Sequence, residues 1–236
     1  MGVDGMLKDD LAKEVEELFH AEWTKRDGEK VPEPEDLKLG NDVIVLDDAV
    51  VLYADLADST ELVDQYKPLF AAEVYKAYLH CAARIVRDEG GIITAYDGDR
   101  VMGIFIGDSK NTSAARCALK INGAVVDIIN PALKQQYPKS PYEVRQAVGV
   151  DSGSLHASRT GVRGANDVVW VGRAANYAAK LCSLRDGLYA SWITKRVHDR
   201  LREDVKVQKS QSMWEARTWT KMNNLDVLCS SWKWAP

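Results

Sequence analysis

Apolar positions near the N-terminus repeat at helical spacing among many charged residues. Over residues 7–24 the apolar side chains include Leu11, Val15 and Leu18. This period predicts an amphipathic helix. We expect its apolar side to dock on the core of the chain or on a second subunit, while an element that binds another partner is the alternative.

The pattern is interrupted in residues 28–41, which contain Pro32, Pro34 and many charges. Such a stretch is typical of a linker or of an ordered arm over a domain surface. We therefore expect two parts, an N-terminal helix and arm over residues 1–43 and a main domain over residues 44–236.

Short apolar runs mark the start of the main domain. Residues 49–56, AVVLYADL, are mostly apolar and β-branched, as expected of a strand covered on both faces. Pro68 then begins a run in which apolar residues recur at helical spacing until Gly90 and Gly91. Proline at the start and glycine at the end predict a helix between them.

Two further strand-like runs, residues 92–96 and 100–106, flank Asp97, Gly98 and Asp99. Asp-Gly between two such runs predicts a tight hairpin, because both turn residues then need positive φ. The two carboxylates are therefore expected at a hairpin tip.

A second helix is predicted over residues 112–130, ending at Pro131, and another strand over residues 144–152. The order strand, helix, hairpin, helix, strand predicts an α+β fold with a ferredoxin-like βαββαβ core and both helices on one face of the sheet. The predicted additions to this core are a helix over 173–184 and strands near 188–190, 213–220 and 225–234.

Composition excludes several classes of protein. The formal net charge of −4 argues against a nucleic-acid partner held by a basic surface. We find no basic segment followed by an apolar core at the N-terminus and no run of about 18 apolar residues, so we expect a cytoplasmic protein without a membrane partner. The cysteines have no Cys-x-x-Cys spacing and are expected to be reduced thiols; they are Cys81, Cys117, Cys182 and Cys229.

The predicted topology brings two carboxylates together. The end of the first strand and the tip of the central hairpin are neighbours in such a core, so Asp55 and Asp99 should converge. Two close carboxylates favour a cation, and Mg²⁺ or Mn²⁺ accepts oxygen ligands from carboxylates and phosphates. The alternative is that Asp97 and Asp99 only serve the turn and Asp55 only ends the strand.

The segment after Asp55 offers a place for phosphates. Ala57, Asp58, Ser59 and Thr60 lead into a helix or turn whose free N–H groups suit an anion. Simple capping by Ser59 or Thr60 is an equally good interpretation of this spacing.

From about residue 49 to the C-terminus the sequence resembles the class III adenylate and guanylate cyclases. Three ordered blocks carry the resemblance, namely VVLYADLADSTELV, GGIITAYDGDRVMGIFIG and AVGVDSGSLHASRTGVRGANDVVWVGRAANYAAKL. Three blocks at compatible spacings are far more specific than a single motif. The resemblance implies that residues 44–236 form a cyclase catalytic domain.

The resemblance implies roles for individual residues. Asp55, assisted by the Leu56 carbonyl, and Asp99 would hold two divalent metal ions, either Mn²⁺ or Mg²⁺, and Asn176 would orient the ribose. In that family two head-to-tail subunits form each active site, so we expect a homodimer with composite sites. The reaction is attack of the ribose 3′-oxygen on the α-phosphorus of a nucleoside triphosphate, with release of pyrophosphate.

The sequence departs from the purine cyclases at the residues that contact the base. Ala95 and Val169 stand where those enzymes have a polar pair, and neither offers hydrogen bonds to a purine. Tyr53, Tyr96 and Trp170 lie beside these positions and would narrow the pocket towards a single ring, although ordinary strand packing also explains them.

With the LGND segment and the LYADLADST block, this pattern resembles the bacterial pyrimidine cyclases of the Pycsar anti-phage systems. That resemblance implies a cyclic UMP or cyclic CMP signal for a downstream effector protein. It favours UTP as substrate, with CTP as the alternative.

A further departure is Lys180, where the family usually has an arginine that stabilises the transition state. Lysine supplies charge without a planar fork of donors. Arg173 lies on the same helix face and is a candidate to assist, or else a solvated charge at the helix start.

Other functions stay open on this evidence. A purine-specific cyclase stays an alternative although the base-contacting pair is missing. That missing pair and Lys180 are compatible with a degenerate nucleotide sensor. A diguanylate cyclase or a polymerase palm shares the βαββαβ core, but the hairpin motif YDGDR differs from GGDEF and Asn176 would have no part in that chemistry.

Overall fold

The computed structural model describes residues 3–162 and 164–236. The chain divides into a smaller unit, residues up to Asp47 with Leu155–Val171, and a larger unit, Asp48–Ser154 with Gly172–Pro236. The strands, in chain order, are β1 (Thr24–Asp27), β2 (Asp42–Leu56), β3 (Ile92–Asp97), β4 (Arg100–Phe105), β5 (Gln146–Val162), β6 (Ala165–Val171), β7 (Ser191–Thr194), β8 (Val207–Gln208), β9 (Gln211–Ser212), β10 (Glu215–Trp219) and β11 (Leu225–Ser230). The α-helices are α1 (Val3–His20), α2 (Ser59–Gln65), α3 (Pro68–Asp88), α4 (Lys110–Ala124), α5 (Asn130–Gln136), α6 (Arg173–Leu181), α7 (Lys195–Asp199) and α8 (Glu203–Lys206).

The larger unit is built on a sheet with the strand order β10-β11-β7-β5-β2-β4-β3. Strands β2 and β4 are antiparallel, as are β3 and β4, whereas β7 runs parallel to β5. The elements β2, α3, β3, β4, α4 and β5 follow one another in the predicted βαββαβ order. The predicted α+β fold with a ferredoxin-like core is therefore confirmed.

The two core helices pack on the same face of the sheet. On β2 the side chains of Val50, Leu52 and Ala54 belong to one buried cluster with apolar side chains of α3 and α4. Because successive residues of a strand point to opposite faces, Tyr53 and Asp55 lie on the other face. The face away from α3 and α4 thus carries the polar end of β2.

Helix α3 has the predicted bounds, while the following helical region does not end as predicted. Pro131 does not stop the second helix: α4 passes through a π-helical segment, Val125–Ile129, and continues as α5. The wider turn accommodates the proline, which lacks an N–H and here occupies the first turn of α5.

The central hairpin is present, but its turn differs from the prediction. Asp97 pairs with Arg100, so Gly98 and Asp99 are the turn residues, and of these only Gly98 has positive φ, at +59°. This pattern indicates a type II′ turn, whose first central position requires glycine. Asp99 is nevertheless at the hairpin tip, as predicted.

Several strand boundaries were predicted wrongly. The first strand begins at Asp42 rather than at residue 49, and β5 extends to Val162. The strand predicted at 188–190 lies at Ser191–Thr194 instead. The helix predicted over 173–184 ends at Leu181.

The smaller unit contains the N-terminal helix and a strand that the sequence pattern did not predict. β1 pairs in parallel with the first residues of β2, and Arg26 lies 2.7 Å from the Asp42 carboxylate. The Asn41 side chain donates to the carbonyls of Leu18 and Ala21 at the end of α1. The predicted arm is therefore ordered around these contacts.

The apolar side of α1 is exposed. Leu11, Val15 and Leu18 all present much of their surface to solvent. These three side chains therefore do not dock on the core of the chain, as was one expectation. Docking on a second subunit stays a prediction.

Candidate active site

The ends of β2 and of the β3–β4 hairpin bring Asp55 and Asp99 together. Asp55 is opposite Arg100 in the antiparallel pair, and the Leu56 N–H donates to the Asp99 carbonyl at 3.3 Å. The Asp55 side chain is only 12% exposed, while Asp99 is partly exposed. The sequence-based expectation of convergence is confirmed by this backbone contact.

The Asp55 carboxylate lies between two guanidinium groups. Arg185 donates to Oδ2 at 2.6 Å, and the Nε atom of Arg100 lies 4.0 Å from Oδ1. Burial raises the pKa of Asp55, the bond from Arg185 opposes that rise, and the charge of Asp99 adds to it. Burial together with a hydrogen bond to Oδ2 alone leaves the ionised carboxylate incompletely compensated, so a further positive charge at Oδ1 would stabilise it.

The donor set suits a hard divalent cation. Residues 3–162 and 164–236 contain no group of three His, Cys, Asp or Glu side chains that could hold a metal ion by themselves. A cation bound by Asp55 and Asp99 would therefore take its remaining ligands from substrate phosphates, which is how proteins commonly bind Mg²⁺. The residues present therefore fit a cation that is shared between protein and nucleotide.

The segment after β2 forms a short helix rather than the capped turn that was the alternative. Ser59 and Thr60 lie inside α2, and Asp58 precedes it in the left-handed region with φ of +57° and makes no side-chain cap bond. Arg145 donates to Asp58 at 2.6 Å, and the Ala57 N–H donates to the Arg145 carbonyl at 2.8 Å. Capping by Ser59 or Thr60 is thus wrong.

Helix α6 is held against β5 by close backbone contact. A Cβ atom added at Gly149 would lie 2.2 Å from the Ala178 carbonyl oxygen, so only glycine fits there. The buried side of α6 consists of Ala174, Ala175, Ala178 and Leu181. The exposed side carries Arg173, Asn176 and Lys180.

The two cationic residues of this exposed side have different surroundings. The Arg173 guanidinium lies 3.6 Å from the fully buried carboxylate of Asp151 and 4.4 Å from the centre of the Tyr177 ring. Among the described residues, the contact found for the Lys180 ammonium is a long one to the Met222 sulfur, at 3.7 Å. Arg173 is therefore engaged within its own chain, whereas the ammonium of Lys180 is available.

The residues considered for base recognition lie on different strands. Tyr53 and Ala95 are both opposite Met102, so they share the sheet face that carries Asp55. Burial raises the pKa of Tyr53, and the Arg100 guanidinium lies 5.7 Å from its ring centre. Tyr96 is exposed.

Val169 and Trp170 belong to β6 in the smaller unit. There Trp170 packs against Leu37, Ile44 and Ala157. Its contacts within that unit are those of ordinary strand packing.

Two arginines that contact site residues were not identified from the sequence. Arg185 follows α6 and contacts Asp55 across 130 positions, and Arg145 contacts Asp58 across 87 positions. No motif or local period marks either residue. Neither contact follows from local sequence.

Within the described part of the chain, no helix has the length and apolar character needed to cross a membrane. The four cysteines are free thiols.

Solved structures establish the fold class. The adenylyl cyclase CyaB from P. aeruginosa superposes with a TM-score of 0.64 at 17% identity, covering 80% of this chain and 95% of that one. The guanylyl cyclase Cya2 gives a TM-score of 0.66 at 15% identity, covering 80% and 94%. The fold is that of a class III nucleotide cyclase.

Sequence relatives narrow the class to a family. No protein-family model matches the chain. It is 48% identical to a uridylate cyclase from Xanthomonas perforans over 97% of this chain and 98% of that protein. It is 49% identical to a uridylate cyclase from Burkholderia cepacia over the same shares. The chain belongs to the uridylate cyclase family.

Proposed function

We propose that this protein is a nucleotide cyclase that converts UTP to 3′,5′-cyclic UMP and pyrophosphate. The observation that carries the proposal is the convergence of Asp55 and Asp99 at one edge of a cyclase fold. Near-full-length similarity to proteins named uridylate cyclase supports UTP as the substrate.

In this proposal Asp55, the Leu56 carbonyl and Asp99 hold two divalent cations, Mn²⁺ or Mg²⁺. Such cations, when bound, lower the pKa of a hydroxyl and neutralise charge on a leaving pyrophosphate. The N–H groups of Asp58, Ser59 and Thr60 hold phosphate oxygens, whereas the Ala57 N–H already donates to the Arg145 carbonyl and Ala57 only positions the segment. Arg145 stands beside this segment and is a further cation for the polyphosphate, since it gives up only an exposed partner, Asp58.

The ribose and the transferring phosphate are assigned to α6 of a second subunit. Asn176 orients the ribose, and Lys180 stabilises the negative charge that develops on the α-phosphate. Two observations support this assignment. Both side chains are exposed, and the residues found near Asp55 in the same chain are others, namely Arg185, Asp99 and Arg100. Arg173 acts as a positioning residue that neutralises Asp151.

For the base, Tyr53 narrows the pocket and Ala95 leaves room without offering a hydrogen bond. Val169 and Trp170 are assigned to base recognition on the basis of the resemblance alone. CTP is the alternative substrate, because Tyr53, Ala95 and Tyr96 give no contact that separates uracil from cytosine.

The remaining parts of the proposal concern context. The chain works as a cytoplasmic homodimer, with residues 1–43 as a helix and arm and residues 44–236 as the catalytic domain. The cyclic nucleotide serves as an anti-phage signal for a separate effector protein, without a nucleic-acid or membrane partner.

The direct test is incubation of the purified protein with ATP, GTP, CTP and UTP separately in the presence of Mn²⁺, followed by mass detection of cyclic monophosphates. We expect cyclic UMP from UTP and its loss, by about 10³-fold or more, in Asp99→Ala. Cyclic CMP as the main product would move the substrate to CTP, and a purine product would overturn the interpretation of Ala95.

A nucleotide sensor without turnover is the second candidate, favoured by lysine at position 180. It predicts UTP binding that depends on Asp99 with no cyclic product under any metal condition. Binding measured by calorimetry alongside the product assay separates the two candidates.

A further inference from the structure

Arg185 connects the carboxylate pair to a segment that has no role in the proposed chemistry. It follows α6, and its guanidinium donates both to Asp55 Oδ2 and to the Cys182 carbonyl at 2.6 Å. The Arg185 side chain is 36% exposed, so it is not locked in place by packing. The same oxygen of Asp55 is one that a cation would need.

A cavity of about 430 Å³ borders Arg185. Gln146 lines it and is 7% exposed, yet neither its amide nitrogen nor its amide oxygen has a hydrogen-bond partner among the described residues. Glu143 and Asp186 also line the cavity, as does the ion pair of Asp58 and Arg145. The lining therefore includes an unused buried amide oxygen and an excess of acidic residues over Arg145 near the Arg185 side chain.

The Asp55 carboxylate and the cavity lining give the Arg185 guanidinium two alternative sets of hydrogen-bond acceptors. A buried amide without a partner is costly, and a guanidinium has five donors to satisfy it. A divalent cation and a guanidinium repel each other strongly at the same carboxylate. A cation at Asp55 thus competes with Arg185, and the cavity offers Arg185 other acceptors.

We propose that Arg185 is a two-position residue that controls when Asp55 accepts a metal ion. It bonds to Asp55 while the nucleotide is absent and withdraws to Gln146 when the cation arrives with the triphosphate, whose binding supplies the free energy for displacement. The inference rests on the proposed function, because it takes Asp55 as a metal ligand. A purely structural Arg185 would only stabilise the buried carboxylate.

The first experiment measures Mn²⁺ affinity without nucleotide by electron paramagnetic resonance. We expect Arg185→Gln to bind Mn²⁺ about tenfold more tightly than the natural protein, because a competing cation has been removed. Arg202→Gln is the matched control, since it removes an exposed guanidinium 3.5 Å from Asp204. Asp55→Asn identifies the signal that belongs to this site.

The second experiment tests the withdrawn position with Gln146→Leu, which keeps similar volume. We expect Mn²⁺ affinity to fall severalfold in the natural background and to be unchanged in the Arg185→Gln background, since the two side chains act as a pair. The melting temperature of Gln146→Leu should not decrease, because the change removes an unpaired buried amide.

Two results would overturn the inference. One is Mn²⁺ affinity in Arg185→Gln that is equal to or weaker than in the natural protein, while Asp55→Asn still abolishes binding. The other is an equal effect of Gln146→Leu in both backgrounds. If Asp55→Asn leaves Mn²⁺ binding intact even with UTP present, the metal role of Asp55 fails, and the proposed function fails with it.

Discussion

The carboxylate pair and the exposed side of α6 represent two different kinds of functional surface. Asp55 is mostly buried, and its oxygens face Arg185 and Arg100 within the same chain. On α6, Asn176 and Lys180 are exposed, and within the described part of the chain Lys180 has a weak contact to Met222. The first surface is assembled within one subunit, whereas the second is the surface that our proposal assigns to a site on another molecule.

The strongest test of this comparison mixes two inactive proteins. Asp55→Ala and Asn176→Ala should each be inactive, and an equal mixture should recover about a quarter of natural activity, because half of the dimers then have one intact site of two. Cyclic UMP production after subunit exchange is the measurement. Confirmed heterodimers without activity would place both residues in one subunit's site.

Lys180→Ala addresses the available cation of α6. We expect kcat to fall by about 10²-fold with little change in melting temperature, since the contact of Lys180 with the described residues is a weak one to Met222. Lys180→Arg should retain activity, because charge is preserved. Steady-state kinetics with UTP and Mn²⁺ check both variants, and an unchanged kcat in Lys180→Ala would contradict the assignment.

Arg173→Ala should behave in the opposite way. It leaves the buried carboxylate of Asp151 without its cation, and since the arginine is partly exposed we expect a loss of about 1–2 kcal/mol in the free energy of unfolding. This corresponds to a melting temperature lower by roughly 2–8 °C, measured by calorimetry. A large fall in kcat at unchanged stability would make Arg173 the transition-state residue instead.

The smallest effect concerns Cys182, which follows α6 on the side of Asp55. Burial raises the pKa of this thiol to about 12, so the unreactive protonated form predominates at pH 8. In the folded protein we expect iodoacetamide to modify half-buried Cys81 first and Cys182 only after unfolding. Mass spectrometry of timed reactions checks the order of modification. Early modification of Cys182 would show that the segment after α6 opens in the folded protein.

The parts of the fold predicted from sequence are those with local signals. Helix α3 was predicted because proline and glycine mark its ends, and the hairpin because a glycine lies between two apolar runs. The start of β2 was missed because Asp47 and Asp48 interrupt the apolar pattern. Asp48 is tolerated in the strand through ion pairs with Lys110 and Arg200 at 3.0 and 3.2 Å, which no local pattern contains.

The candidate site, like the fold, was predicted only in part. Asp55 and Asp99 followed from topology, because neighbouring strand ends bring distant residues together. Arg185 and Arg145 did not, since each is positioned by tertiary contacts at the end of an element rather than by a repeating pattern. The roles of Asn176, Lys180 and the base-pocket residues stay predictions.

The glycine contact between β5 and α6 has a consequence for how such enzymes change during evolution. Because backbone touches backbone at Gly149, the placement of α6 depends on the absence of a side chain at that position. Tyr53 and Ala95 belong to other strands, β2 and β3. We therefore expect substitutions at Tyr53 and Ala95 to leave Asn176 in place, which would let a lineage exchange the base it accepts and inherit the reaction unchanged.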